Sequence, residues 1–125
     1  MTQENRDLLV RDLCVRLPYG VKFKYEDRPE VCEILSITPI YENGNVVYFD
    51  RYVNEPKKCS IYDVKPYLFP LSSMTVEQKT SHNFLKHSAY ANPVKLIDWY
   101  IKNHFDYRGL IPMGLAIDAT GLNIY

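Results

Sequence analysis

His104-Phe105-Asp106-Tyr107-Arg108-Gly109 is the densest set of chemically capable groups in the chain, with an imidazole, a carboxylate, a phenol and a guanidinium in close succession. Arg108 in such a setting is a fork that can hold a carboxylate or phosphate through two parallel hydrogen bonds. His104, Asp106, Tyr107 and Arg108 are therefore the candidate binding residues. An architectural account uses the same residues: Phe105 anchors a helix exit, Asp106 caps the next turn, Arg108 pairs locally and Gly109 relieves the backbone.

Other chemistries find less support. Nucleophilic catalysis needs a thiol or hydroxyl within reach of a His that a third group orients. Cys14, Cys32 and Cys59 fall instead on expected core elements, where free cysteine is commonly buried. His82 and His87 are five apart, unlike the i, i+4 pair of a zinc helix, so no metal is assigned. The five glycines are scattered singly and make no phosphate-cradling loop. No catalytic residue and no cofactor is assigned. Eleven tyrosines are the compositional oddity. Most fit a pleated, half-buried sheet, and Tyr48, Tyr52 and Tyr62 form a candidate aromatic contact surface.

These groups must be positioned by one small domain. The chain has 125 residues, of which 46% are hydrophobic, enough to bury a core without metal or disulfide and too many for intrinsic disorder. Residues 1–18 read as a helix, because Leu9, Leu13 and Leu17 repeat at fourth positions with Val10 and Cys14 widening the stripe. Asp7 with Arg11 and Asp12 with Arg16 supply solvent-face pairs worth a few tenths of a kcal/mol each. Leu17-Pro18-Tyr19-Gly20 then fits a type I turn.

Residues 20–70 form the expected antiparallel β region. Val21, Phe23 and Tyr25 alternate with Lys22, Lys24 and Glu26 in a first strand. A second strand covers 31–41, where Pro39 should force a bulge, an edge or an early end. Asn43-Gly44 favours a tight turn into a third strand, 46–52, and a fourth covers 59–64. Four to five such strands suggest a sheet or a small SH3-like barrel. Residues 75–125 are mainly helical. Thr75 with Gln78 makes a capping box for a helix from Val76 to about Lys86, whose apolar face (Val76, Phe84, Leu85) is thin. Asn92-Pro93 opens a second helix, with Val94, Ile97, Ile101 and Phe105 along one side. Gly114 should divide a helical turn from a short extended piece, Leu115 to Ile117. The fold class is α+β.

Charge narrows the partners. Fifteen basic and fifteen acidic side chains balance, with segment charges of +1, −2 and +1 over 1–29, 30–70 and 71–125. Nucleic-acid binders usually cluster Lys and Arg, and only Lys57-Lys58 are adjacent here, so nucleic acid is not the favoured partner. Three dispersed cysteines and a polar first segment point to a reduced, cytoplasmic protein. No apolar run approaches the ~20 residues that span a bilayer, so no membrane partner is expected.

Several strings are familiar: Arg11-Asp12-Leu13-Cys14 leading to Arg16-Leu17-Pro18-Tyr19-Gly20-Val21-Lys22, then Val64-Lys65-Pro66-Tyr67-Leu68, Leu71-Ser72-Ser73-Met74-Thr75 and His104-Phe105-Asp106-Tyr107-Arg108-Gly109-Leu110-Ile111. In this order they resemble an uncharacterised family of small proteins from Bacteroides and related gut bacteria, their phages and mobile elements. The resemblance covers the first helix with its turn and most of 64–117. Phe69 stands where an arginine is expected, and Pro112-Met113 where a charged pair is. What the resemblance implies is a genomic setting and an accessory role, not an activity.

The resulting expectation is a non-catalytic interaction or accessory protein, phage- or mobile-element-encoded, with a protein partner. One alternative is a nucleic-acid-associated small-barrel protein using Lys22, Lys24, Lys57 and Lys58. Another is a small-ligand-binding protein or small enzyme with a pocket near His104 and Arg108.

Overall fold

The computed structural model describes residues 2–26, 28, 30–40, 44–49 and 57–125. The first helix, α1 (Gln3–Arg16), starts where Thr2 Oγ1 accepts the Asn5 N–H at 3.1 Å. Its buried residues are Leu9, Asp12, Leu13 and Arg16, whereas Cys14 is exposed and Val10 half-buried. The inward stripe is thus rotated from the expected one. Asp12 and Arg16, read from sequence as a solvent-face pair, lie wholly inside the protein. A 3₁₀ turn, Leu17–Tyr19, ends the helix on Gly20, whose φ of +71° favours glycine. A Cβ there would also lie 2.7 Å from Glu33 Oε1.

The strands are β1 (Lys22–Tyr25), β2 (Cys32–Ile40), β3 (Gly44–Phe49), β4 (Lys57–Ser60), β5 (Val64–Leu68) and β6 (Ile117–Asp118). They form one sheet in the order β4-β3-β2-β1-β5-β6. The four pairings from β4 through to β5 are antiparallel, and β6 lies parallel to β5, with Tyr67 opposite Ile117. Of the two expected forms, a four- to five-stranded antiparallel sheet or a small barrel, the described residues form an open sheet, corrected to six strands and to mixed pairing. The parallel pair arises because the chain leaves β5, builds two helices and returns, the long crossover that parallel strands require. Coiling of the sheet still folds Phe49 of β3 onto β1, at ring distances of 5.2 Å from Phe23 and 5.7 Å from Tyr25.

Pro39 does not interrupt β2. It pairs with Asn45, and the bulge falls between Ile34 and Ser36 instead. The described pairing of β1 with β2 covers only Lys22↔Glu33 and Phe23↔Cys32, so at Pro39 one side of β2 is an edge, where a missing N–H is tolerated. Gly44 opens β3 opposite Ile40, while the Asn43-Gly44 turn and Tyr52 lie outside the described residues. The expected fourth strand is split. It ends at Ser60, whose Oγ accepts the Tyr62 N–H in a 3₁₀ turn, Ile61–Asp63, and Val64 begins β5, which runs straight through Pro66.

Two helices follow β5. Helix α2 (Val76–His87) has the reciprocal Thr75–Gln78 capping box and buries none of its residues. Helix α3 (Pro93–Lys102) starts at Asn92, whose side chain accepts two backbone N–H groups. Its inward residues are Tyr100 and Ile101, with Leu96 and Trp99 packed beside them, whereas Val94 and Ile97 face outward. Of the expected stripe, Ile101 and Phe105 are buried, whereas Val94 and Ile97 give way to Leu96, Trp99 and Tyr100. The main core joins Leu9 and Leu13 of α1 to Val21, Phe23, Ile34, Val47, Ile61, Val64 and Leu68 of the sheet region and to Leu110 and Leu115. A second cluster gathers Met74, Tyr100 and Phe105 with Phe69, Trp99 and Tyr107.

Candidate functional site

The 104–108 segment is the exit of α3, closed by a Schellman motif. His104 N–H donates to Ile101 O at 3.1 Å and Phe105 N–H to Tyr100 O at 2.9 Å. His104 occupies the left-handed position of that motif, with φ +62°, where glycine is the usual residue. The segment is stitched to the residue that follows β5, Phe69, which donates to His104 O and accepts from Asp106 N–H, each at 2.8 Å.

Each candidate side chain has a structural partner. Asp106 is buried, and its two oxygens accept the Leu110 and Ile111 N–H groups at 2.8 Å, making it the cap of the following turn. Arg108 does not pair locally. Its Nε lies 3.3 Å from Asp12 Oδ1 on α1. Asp12 also holds Arg16 through two contacts, 2.7 Å to Nε and 3.2 Å to Nη2, and Arg16 Nη2 donates to Phe105 O at 2.6 Å. The Tyr107 ring has both guanidinium carbons close by, at 5.5 Å for Arg16 and 5.1 Å for Arg108, and stacks on Tyr100. The His104 ring stacks on Tyr125 at 3.6 Å and 11°.

Electrostatics follow from this packing. Burial, reinforced by Arg16 and Lys22, pushes the His104 imidazole down to about 4, so it is neutral at physiological pH. Burial pushes the Tyr125 phenol up to about 12. That hydroxyl accepts from Lys22 N–H at 2.9 Å and donates to Tyr67 O at 2.8 Å. Arg16 Nη1, His104 Nδ1 and Tyr107 Oη are buried without a hydrogen-bond partner among the described residues. These atoms have almost no accessible surface, so they do not line an open ligand site. The arrangement can hold α1 against the C-terminal segment, and Arg108, engaged through Nε, is otherwise an exposed side chain.

The remaining chemistry is dispersed. Cys59 is buried, and its thiol is pushed up to about 12 by burial and by Asp63, Cys32 and Glu26. Cys14, expected in the core, is exposed, and Cys32 is half-buried. His82 Nε2 lies 2.6 Å from Tyr100 Oη, which binds α2 to α3. Among the described residues no three His, Cys, Asp or Glu side chains gather in a metal-binding group. Tyr62 is exposed and accepts from Arg6 Nη1 at 3.2 Å, while Tyr48 is half-buried on β3. Of the lysines considered for nucleic acid, Lys22 donates to Ile124 O at 2.8 Å, whereas Lys57 and Lys58 are exposed on edge strand β4.

Concave surface lies elsewhere. A cavity of about 670 Å³ is walled by Lys22, Tyr25, Arg28, Phe49, Lys57 and the 122–124 segment. A groove of about 450 Å³ lies between α2 and α3, formed by Thr80, Ser81, Phe84, Leu85 and Trp99. Neither includes His104 or Arg108. The sequence reading missed Asp12, Arg16 and Tyr125 as partners of the cluster. A signal existed for the first two, since Leu9, Asp12, Leu13 and Arg16 recur at three- and four-residue spacing and must share a helix face. No helix among the described residues is long and apolar enough to cross a membrane. In comparisons with protein-family models, curated proteins and solved structures, nothing matches this chain.

Proposed function

We propose that this is a non-catalytic interaction protein whose contact surface is the outer face of α2 and α3. One observation carries the reading. Helix α2 is a capped helix of twelve residues that buries none of them, while Val76, Phe84, Tyr90 and Val94 on and between the two helices are 81%, 54%, 79% and 69% exposed. Isolated helices of this length are marginal in water, and large apolar side chains left exposed together, as the stacked Phe84 and Tyr90 are, commonly mark a contact site. The 104–108 cluster is compatible with the same reading, because Asp106 is held by the Leu110 and Ile111 N–H groups and Arg108 Nε by Asp12. In the genomic setting that the sequence resemblance implies, the role is an accessory one in the cytoplasm of a bacterial host, encoded by a phage or mobile element.

The test is affinity capture from native-host lysate with the tagged wild-type chain and with Phe84→Glu. A protein retained by the wild type and lost with the variant, whose far-UV circular dichroism is unchanged, is the expected result. Equal retention by both would remove the α2–α3 surface from consideration. A second reading, small-ligand binding, draws support from the cavity beside Lys22 and Arg28, whose volume lies in the usual range for ligand sites. Its site is not the one expected near His104 and Arg108.

A further inference from the structure

We infer that the cavity beside Lys22 and Arg28 is the site for a small molecule carrying one carboxylate on an apolar body, with the carboxylate seated on Arg28. The inference rests on the second reading above, ligand binding in that cavity, and gives the ligand its chemistry. The first argument is the state of the guanidinium. Arg28 is exposed, its side chain rests on the Tyr25 ring at 5.1 Å, and its backbone N–H donates to Tyr25 O at 3.2 Å. Tyr25 meets Phe49 at 5.7 Å, and Phe49 meets Phe23 of the core at 5.2 Å, so the guanidinium stands on an aromatic ladder anchored inside the protein. Among the described residues no oxygen accepts from the Arg28 side chain. Lys22, by contrast, is engaged, its Nζ donating to Ile124 O at 2.8 Å. A planar fork held on a ring with its donors unengaged suits a carboxylate, which it can bind through two parallel hydrogen bonds.

Charge is the second argument. Lys22, Arg28 and Lys57 share the cavity wall with Glu30 and Glu33, a balance of one positive charge. One negative charge on the ligand completes that balance, whereas a second would meet the two glutamates.

The walls are the third. Val31, just ahead of β2, and Leu122 and Ile124 present apolar side chains to the cavity, and Val31 and Leu122 are exposed. The 122–124 wall is pinned to the sheet by its neighbour Tyr125, whose Oη accepts the Lys22 N–H at 2.9 Å and donates to Tyr67 O at 2.8 Å. About 670 Å³ between such walls is the size of a preformed small-molecule site.

Titration of the isotope-labelled full chain with phenylbutyrate and with decanoate, followed by amide chemical shifts, tests this. Saturable shifts at Arg28, Val31, Cys32, Leu122 and Asn123 are expected, with dissociation constants of about 1 mM or lower, the usual efficiency for ligands of about twelve non-hydrogen atoms. Phenylbutyramide, which lacks the charge, and phenylbutyl phosphate, which carries nearly two, should each bind at least about tenfold more weakly than phenylbutyrate. Arg28→Gln should weaken both acids about tenfold, and Arg28→Lys, which keeps the charge and loses the fork, should recover only part of that. Leu122→Glu, which sets a like charge on another wall, should abolish binding while shifts outside the cavity stay those of the wild type. Amide or phosphate binding as tight as the acid's, or acid binding indifferent to Arg28→Gln, overturns the inference and leaves the cavity to another ligand chemistry. The comparison of acid with amide needs no variant, so a folding defect cannot mask it. No saturable shift with any of the four compounds removes the inference and the ligand-binding reading together.

Discussion

His104 holds a backbone conformation that suits glycine or asparagine, and its ring compensates by stacking on Tyr125. This has a consequence for stability against pH. In the folded protein the imidazole stays neutral down to about 4, whereas in the unfolded chain it takes up a proton below about 6.5. Between those values unfolding binds a proton that the folded state refuses. Stability is therefore full above pH 6.5, falls as pH drops through the window and levels off below about 4. The ring is partly accessible, so screening reduces the total to about 1–2 kcal/mol. His104→Asn keeps a residue that accepts the left-handed backbone and removes the titration. Urea denaturation between pH 7 and 4 should show a shallower decline for the variant than for the wild type. Parallel curves would mean that the imidazole is as free to charge in the fold as in the unfolded chain. His82, whose imidazole is also pushed down by burial and by Lys86 and His87, is common to both proteins and cancels in the difference.

Helix α2 illustrates what the elements owe to local chemistry. Its start is set by Thr75 and Gln78 exchanging hydrogen bonds of 2.9 and 3.1 Å, and packing adds little because no residue of it is buried. Thr75→Ala should cost about 1 kcal/mol of helix stability. That loss should appear as faster amide hydrogen exchange along α2, with little movement of the global urea midpoint, because a helix outside the cores opens locally. An equal loss in the global midpoint would show that α2 unfolds with the sheet. The same locality explains which elements were legible in the sequence. Thr75-Gln78, Asn92-Pro93 and Leu17-Pro18-Tyr19-Gly20 are short-range signals, and the structure places helix ends or turns at each. The alternation of Phe23 with its neighbours was legible for the same reason. The parallel pairing of β6 with β5 was not, since a strand of two residues carries no period and its partner is far away in the chain. At the candidate site, capping by Asp106 was legible and the partner of Arg108 was not. Asp12 becomes available only through the rotation of α1, which the packing against the sheet decides.

Across the whole molecule, the ends of the chain are joined by one carboxylate. Asp12 neutralises Arg16 within α1, and through Arg16 Nη2 on Phe105 O and Arg108 Nε on Asp12 it binds the larger core to the smaller aromatic cluster. Asp12 and Arg16 are fully buried, so removing the charge of one leaves the other uncompensated, a defect that typically costs about 3–5 kcal/mol. Asp12→Asn should lower stability by that order while leaving both apolar clusters their own contacts. The single tryptophan, Trp99, sits in the smaller cluster and reports on it separately from the sheet. In the wild type, urea transitions followed by Trp99 fluorescence and by far-UV circular dichroism should coincide, as one cooperative unit requires. In Asp12→Asn the fluorescence transition should move to lower urea than the circular dichroism transition, because the smaller cluster has lost its tie to the core that supports it. Replacing the pair by apolar residues of similar size, Asp12→Leu with Arg16→Met, should recover much of the lost stability, since no buried charge then remains. Coincident transitions in Asp12→Asn would show that the two clusters are coupled by packing alone, with the ion network a passenger of the fold.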